Sequence, residues 1–264
     1  MLSSVFVYPI SKYRQVMDWI LKITPDYDDS TEIVAVGNSP PGLNQKCIVA
    51  LFVTFKKTQA EAEAALAPAN KSRPEGMIVE QVNSPTSLAK EYRDQAGANP
   101  EGHRYCADNG YVSNDADIAA VLEPAFCNLP NEKTFALWYA MAPCSRRELP
   151  DMALSMQSDH YFAIYTIWED AKDDDHFQSW VRNVMRKIVP HSDGAYLGDS
   201  DFQVRQTKFW TDEKARKLMD VRRKWDPKGR ICGYLDHGDD SGVRGLLNQH
   251  EWCNGFEKEE VARA

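Results

Sequence analysis

The chain lacks the features of a membrane protein or a nucleic-acid-binding protein. No apolar run approaches the roughly 18 residues that a membrane-spanning helix needs. The 264 residues carry 39 acidic and only 31 basic side chains, whereas phosphate backbones and anionic membranes attract basic surfaces. The start, Met1-Leu2-Ser3-Ser4, also lacks the basic and apolar parts of a secretory signal. We therefore expect a cytoplasmic protein that binds neither nucleic acid nor a membrane.

Cysteine and histidine patterns for metal binding are missing as well. No Cys-x-x-Cys or His-x-x-x-His pair occurs, and the six cysteines are too widely spaced to form a disulfide framework. These cysteines are Cys47, Cys106, Cys127, Cys144, Cys232 and Cys253. For a chain of this size, such spacing favours reduced thiols and predicts no metal site.

The hydrophobic pattern alternates short β-rich runs with helical segments and contains no internal repeat. Cys47–Phe55 is an apolar run typical of a central strand, and Thr134–Ala142 and His160–Trp168 predict two further strands. Helices do not follow every strand, which excludes a doubly wound parallel sheet. We expect one α+β domain over residues 1–264. Its core is a large, mostly antiparallel sheet with helices packed on one face, an elaboration of the ferredoxin-like arrangement.

The last quarter of the chain holds the most informative motifs. Residues 194–201 read Gly-Ala-Tyr-Leu-Gly-Asp-Ser-Asp; Phe-Trp at 209–210, a helical segment and Asp-Pro at 226–227 follow. This order resembles the C-terminus of berberine-bridge-type FAD-linked oxidases, in which Tyr-x-Asn-Tyr-x-Asp precedes a helix and an Asp-Pro ending. Tyr196 and Asp201 match that motif, whereas Gly198 replaces the Asn and Asp199 replaces the second Tyr.

The resemblance covers most of the chain and implies the C-terminal, substrate-binding domain of such an oxidase. In that family the substrate lies on the sheet face opposite the helices. The flavin-binding half has no counterpart here, and no Gly-x-Gly occurs that could begin a phosphate cradle. We therefore expect a domain that stands alone, with no FAD-binding domain and no cofactor.

Six residues are candidates for the site. The resemblance assigns catalysis to Tyr161, Asp199 and Tyr196, and substrate contact to Trp138, Ala163 and Tyr165. Strand alternation places Tyr161, Ala163 and Tyr165 on one face, and the resemblance implies that this face lines the cavity. Trp138 and Tyr139 are neighbours, so only one can face the cavity, and the register of the matched strand favours Trp138.

Each candidate also has a purely structural interpretation. The aromatic residues could be ordinary core with satisfied polar atoms. Asp199 is either a general acid or base or a turn residue that caps nearby amides. His103 in a loop and His191 at a helix end are better explained by solvent exposure and by the helix dipole.

A substrate cavity without a cofactor favours chemistry by shape and hydrogen bonding. The resemblance therefore implies a cofactor-independent cyclase or isomerase of secondary metabolism, such as a pericyclase that catalyses a Diels–Alder [4+2] cyclisation of a small apolar natural-product intermediate. Two alternatives stay open at this point. The first is a non-catalytic binding module, in which a partner or a second copy of the chain covers the open face of the sheet. The second is one half of a split or truncated FAD-linked oxidase.

Overall fold

A computed structural model describes residues 1–142, 144–154, 156–201, 205 and 207–226. The Asp-Pro ending predicted to match the oxidases runs past Asp226 and so lies outside the described residues, as do Cys232 and Cys253. The described part contains one sheet of eight strands. These strands are β1 (Leu2–Pro9), β2 (Thr31–Asn38), β3 (Cys47–Thr54), β4 (Val79–Pro85), β5 (Arg104–Val112), β6 (Phe135–Ala140), β7 (His160–Trp168) and β8 (Ser192–Gly194).

The strand order across the sheet is β4-β1-β3-β2-β6-β7-β5-β8, and every neighbouring pair is antiparallel. Residues directly opposite each other in such pairs share a face of the sheet. The pairing therefore fixes which side chains of β5, β6 and β7 meet on each side. These three strands lie beside one another and carry most of the candidate site.

Six α-helices accompany the sheet in the described residues: α1 (Tyr13–Ile23), α2 (Gln59–Ser72), α3 (Leu88–Ala98), α4 (Ile118–Cys127), α5 (Asp174–Ile188) and α6 (Asp212–Trp225). Apolar residues of α1, α2, α4 and α5 form one core with one face of the sheet. The amphipathic spacing predicted after Asp173 therefore gives a helix that packs as expected. None of the described helices is long and apolar enough to cross a membrane.

The predicted α+β class and the antiparallel sheet with helices on one face are confirmed. A second, smaller cluster of buried and half-buried residues lies on the other face. A third cluster joins Ala195 to Phe209, Trp210 and Ala215 of the α6 region. Described residues that follow β8 thus pack against one another and against Ala153 of the loop before β7.

Candidate functional site

Alternate residues of β7 point to opposite sides of the sheet. Phe162 and Ile164 are fully buried in the core beneath the helices. Tyr161 and Ala163 are buried, and Tyr165 half-buried, in the cluster on the other side. This arrangement follows from the two-residue period of a strand. It places three of the six candidates on the face that the helices leave open.

Trp138 is on the wrong side for the role that the sequence predicted. It pairs across the sheet with Phe162 and is fully buried in the helix-side core. Its neighbour Tyr139 pairs with Tyr161 and lies in the cluster on the open face. The prediction that Trp138 faces the open side of the sheet is therefore wrong, because the register between β6 and β7 puts Tyr139 on that face.

Five tyrosines gather on the open face, and together with Asp199 they are called the tyrosine face below. Ring centroids lie 5.4 Å apart for Tyr111 and Tyr161, and 6.3 Å apart both for Tyr139 with Tyr161 and for Tyr161 with Tyr196. Tyr165 is the fifth member, and its ring stacks on that of Phe135. Tyr161 is therefore the centre of the cluster, with aromatic neighbours from β5, β6 and the segment after β8.

Asp199 adds a carboxylate to this aromatic surface. It ends a short 3₁₀ turn, Leu197–Asp199, and the Tyr161 hydroxyl donates a hydrogen bond to its Oδ2 atom. Asp199 was predicted to act either as an acid or base or as a turn cap. Its carboxylate accepts the hydrogen bond from Tyr161 and also interacts with the Tyr165 hydroxyl, so the side chain is directed at the aromatic cluster.

The hydroxyls of Tyr111, Tyr139, Tyr161 and Tyr165 are held in their protonated form. Burial, reinforced by the hydrogen bond and charge of Asp199, raises the pKa of Tyr161 far above the ordinary value of about 10. Burial and the Asp199 charge also raise the pKa of Tyr165, and burial raises the pKa of Tyr111 and of Tyr139 to about 12. At neutral pH these groups are therefore hydrogen-bond donors. Tyr161 already donates its hydrogen bond to Asp199, and Tyr165 also interacts with that carboxylate, which leaves Tyr139 and Tyr111 as the readiest donors for a bound molecule.

Tyr196 owes its position to a glycine. A Cβ atom added at Gly198 would lie 2.7 Å from the Tyr196 ring, so any side chain there would displace the ring. Tyr196 keeps 39% of its surface exposed, and its ring stands edge-on to that of Tyr161. The replacement of the family's Asn by Gly198 thus lets Tyr196 fold back over its own turn at the rim of the cluster.

No pattern in the sequence pointed to Asn109, the residue that holds this segment in place. The fully buried Asn109 of β5 accepts a hydrogen bond from the Tyr196 backbone N–H at 2.7 Å. Its Nδ2 donates to the Tyr196 carbonyl at 2.8 Å and to Ser200 Oγ at 2.9 Å. One amide side chain therefore fixes both ends of the turn that carries Asp199. In the sequence Asn109 is a polar residue within a strand, and its partners lie 87 and 91 residues away.

The neighbouring Asp108 anchors the chain a little further on. Its carboxylate accepts hydrogen bonds from Arg205 Nε at 2.5 Å and from Arg205 Nη2 at 2.9 Å. Asp108 is only 1% exposed. Burial raises the pKa of Asp108, and the guanidinium of Arg205 opposes that shift. Two adjacent residues of β5 thus hold Tyr196, Ser200 and Arg205 against the sheet, although the sequence pattern singled out neither.

The two loop histidines stand apart from the tyrosine face. His103 precedes β5 at the end that pairs with Trp168, and its Nδ1 contacts the Glu101 carbonyl at 3.0 Å. His191 is exposed in the 3₁₀ turn after α5. In the residues that the structure describes, no group of three or more His, Cys, Asp or Glu side chains could hold a metal ion.

Comparison with known proteins points to one group. No protein-family model matches the chain. The FAD-linked oxidoreductases ptmO of Penicillium ochrochloron and penO of Penicillium crustosum are each 33% identical to it over 235 residues, which is 89% of this chain and 52% of either relative. The FAD-linked oxidoreductase nodO of Hypoxylon pulicicidum is 29% identical over a similar span. The chain therefore spans about half the length of the curated relatives it matches.

Solved structures give the same answer for the fold. GilR, an oxidoreductase of gilvocarcin biosynthesis, superposes with a TM-score of 0.65 at 14% identity, over 86% of this chain and 54% of its own. The 6-hydroxy-D-nicotine oxidase of Arthrobacter nicotinovorans also gives 0.65, at 13% identity over 86% and 52%. A berberine bridge enzyme variant gives 0.57 at 12% identity, over 85% and 49%. The chain is thus a homologue of the FAD-linked oxidoreductases, with the fold of the substrate-binding domain of berberine-bridge-type oxidases.

Proposed function

We propose that the tyrosine face binds a small apolar intermediate of secondary metabolism and catalyses its cyclisation or isomerisation without a cofactor. A [4+2] cyclisation is the leading example. The observation that carries this proposal is the Tyr161–Asp199 hydrogen bond at the centre of an aromatic cluster on the helix-free side of the sheet. Isomerisation conserves atoms and electrons, so it needs no oxidant.

The residues divide the work as follows. Asp199 and Tyr161 form a coupled pair that can take a proton from the bound molecule and return it at another atom. Tyr165 and Tyr139 remain protonated and donate to a carbonyl on which negative charge develops. Tyr196 lies at the rim, and Ala163 provides a small surface between Tyr161 and Tyr165. Holding a flexible molecule in a reactive shape can itself contribute several kcal/mol.

A second candidate function rests on the relatives. They carry the name FAD-linked oxidoreductase, and this chain matches about half of each. In this candidate the tyrosine face is the substrate side of an oxidoreductase site, or a binding surface that a partner or a second copy of the chain covers. The described residues do not fit the flavin nucleotide by themselves, since none of the described helices follows a glycine-rich turn that could hold its phosphates. Residues outside this part would have to bind it.

Deletion of the gene in its source organism distinguishes the two candidate functions by the molecular mass of the compound that accumulates. If the chain is an isomerase, the compound that accumulates has the same molecular mass as the product that disappears. If it serves an oxidoreductase, the accumulated compound is heavier by two hydrogen atoms. The purified chain should then convert the accumulated compound with no added FAD, NAD or metal. A mass difference, or conversion that requires added FAD, would replace the first candidate with the second.

A further inference from the structure

A second concave region lies away from the tyrosine face. A cleft of about 460 Å³ opens between the end of α1, the start of α4 and the chain around β7, and it is called the lateral cleft below. Its walls include Leu21, Tyr27, Asn114, Arg146 and His160, and no member of the tyrosine face lines it. The volume is within the range of small-molecule sites, about 300–1,000 Å³.

Arg146 forms the polar end of the lateral cleft, and Asp159 holds it there. The Arg146 Nε atom donates to Asp159 Oδ2 at 2.8 Å, and Nη2 donates to the same oxygen. Asp159 is itself buried, and Asn114 Oδ1 accepts a hydrogen bond from its backbone N–H. The Arg146 side chain as a whole nevertheless stays 68% exposed. It is therefore a fixed donor with N–H groups to spare, because arginine carries five.

His160 contributes a polar atom that lacks a partner. Its Nδ1 is buried and makes no hydrogen bond with any residue that the structure describes. The ring cannot turn freely to find one, because it stacks on Trp138 with centroids 5.8 Å apart. Burial lowers the pKa of His160, so the ring is neutral at neutral pH. A bound polar atom would relieve the cost of leaving such a group unpaired.

The other end of the lateral cleft is apolar, with Leu21, Pro25, Tyr27 and Ile118 in its walls. The acidic residue at this end, Asp117, is already paired with Arg14 at 3.0 Å and caps α4. It therefore offers little to attract a cation. An apolar wall opposite a fixed arginine suits a molecule with a hydrophobic body and one acidic group.

We propose that the lateral cleft binds a small apolar carboxylic acid, with its carboxylate on Arg146 and its hydrophobic part against Leu21 and Tyr27. The site is separate from the tyrosine face and does not depend on the function proposed for it. The polar contact is a charge-assisted hydrogen bond to a donor that is already positioned, so little ordering of the protein accompanies binding.

A calorimetric titration of the full chain with 1-naphthaleneacetate and its neutral amide tests this proposal. The acid should bind more tightly than the amide. Arg146→Gln should weaken binding of the acid by about tenfold or more, the usual scale for a lost charged hydrogen bond, and should change binding of the amide little. Arg186→Gln, on the exposed side of α5, is the matched control and should change neither.

A second variant guards against misfolding. Ala116 lines the lateral cleft in the loop before α4, so Ala116→Trp should fill the cleft and abolish binding of both compounds, while a cooperative thermal transition shows that the variant is folded. Failure of the acid to bind, equal affinity for acid and amide, or equal effects of the two arginine variants would each overturn the proposal.

Discussion

The two faces of the sheet are built from the same strands and differ in what they do with aromatic residues. On the helix side, Trp138 and Phe162 are fully buried among apolar neighbours, and the indole N–H of Trp138 makes no hydrogen bond to any described residue. On the other side, Tyr139 and Tyr161 occupy the next positions on the same strands and bring hydroxyls toward Asp199. The first arrangement stabilises the fold, whereas the second keeps polar atoms available beside an apolar surface.

The contrast teaches that one strand can serve stability and chemistry at once. Because alternate side chains point to opposite sides, a change of one residue in the helix-side core should reach the tyrosine face only through the backbone. Variants at adjacent positions should thus separate into those that lower the free energy of unfolding and those that lower activity. Five experiments test this separation, from the largest expected effect to the smallest.

Asp199→Asn should cause the largest loss, on the tyrosine face. If Asp199 acts as an acid or base, conversion of the substrate should fall by about 10²- to 10⁴-fold, and the pH–rate profile should lose one limb. Tyr161→Phe removes the same hydrogen bond but keeps the carboxylate, so it should cost only about 1–3 kcal/mol of transition-state stabilisation. The control is Asp193→Asn, whose carboxylate binds Ser113 instead. If Asp199→Asn converts the substrate at the wild-type rate, Asp199 has a structural role only.

Trp138→Ala should cause the largest loss of stability, on the helix side. Removing a fully buried tryptophan leaves a cavity and typically costs about 3–5 kcal/mol in the free energy of unfolding. Urea unfolding measures this cost. Tyr139→Ala, one residue along and half-buried on the other face, should destabilise less and lower activity more. The separation of the two faces is contradicted if Trp138→Ala abolishes activity while its urea unfolding midpoint equals that of the wild type.

Asn109→Ala should loosen the turn that carries Tyr196 and Asp199. Three hydrogen bonds disappear, which should cost about 2–3 kcal/mol, and the Tyr196 amide should exchange its hydrogen faster. Asn131→Ala is the matched control. It also removes three hydrogen bonds, one to Ile167 near the end of β7 and two to Lys133 and Thr134 just before β6. Both variants should lose similar stability, but only Asn109→Ala should lose activity, and equal activity in the two would contradict the positioning role.

Alkali should destabilise the protein through the tyrosine face. The pKa of Tyr111 and of Tyr139 is about 12 in the folded protein against about 10 when unfolded. Between these values the unfolded chain binds fewer protons, so stability should be full below about pH 10 and fall as pH rises toward 12. Ultraviolet absorbance of tyrosinate should show these residues ionising only as the protein unfolds. Ionisation at the ordinary pKa in the folded protein would show that the face is open to water.

Acid should act on the opposite face through His160, with the smallest effect. Burial lowers its pKa in the folded protein, so the unfolded chain binds more protons just below about pH 6.5. Stability should therefore be full above that pH and fall as pH drops toward the folded-state pKa. His160→Gln should flatten this part of the profile of urea midpoints against pH. An unchanged slope in the variant would assign the acid sensitivity to other groups.

Much of this arrangement could be predicted from local pattern. The alternation in β7 placed Tyr161, Ala163 and Tyr165 on one face, and the structure places them on the side away from the helices. Alternation alone does not say which set in a neighbouring strand joins them. For β6 that depends on the register with β7, and the predicted register was off by one residue at Trp138. A slip of one position exchanges the two faces completely.

The rest depended on contacts that sequence does not display. Asn109 binds Tyr196, and Asp108 binds Arg205, across separations of 87 and 97 residues. In the sequence Asn109 and Asp108 are polar residues within a strand, and no neighbouring residue indicates what they bind. The three-residue strand β8 is also too short to show a period. The site was therefore predictable in its strand residues and not in the residues that fix the loop against them.

The attachment of Tyr196, Asp201 and Arg205 to β5 also matters for solubility. β8 pairs only with Tyr111 and Val112, so the remainder of β5 would present unpaired backbone groups at the edge of the sheet. The passing chain occupies this edge: the Asp201 amide donates to the Ala107 carbonyl, and Arg205 donates to the Asn109 carbonyl. Bare sheet edges invite pairing between molecules. Variants that release this segment from β5 should therefore self-associate in concentrated solution.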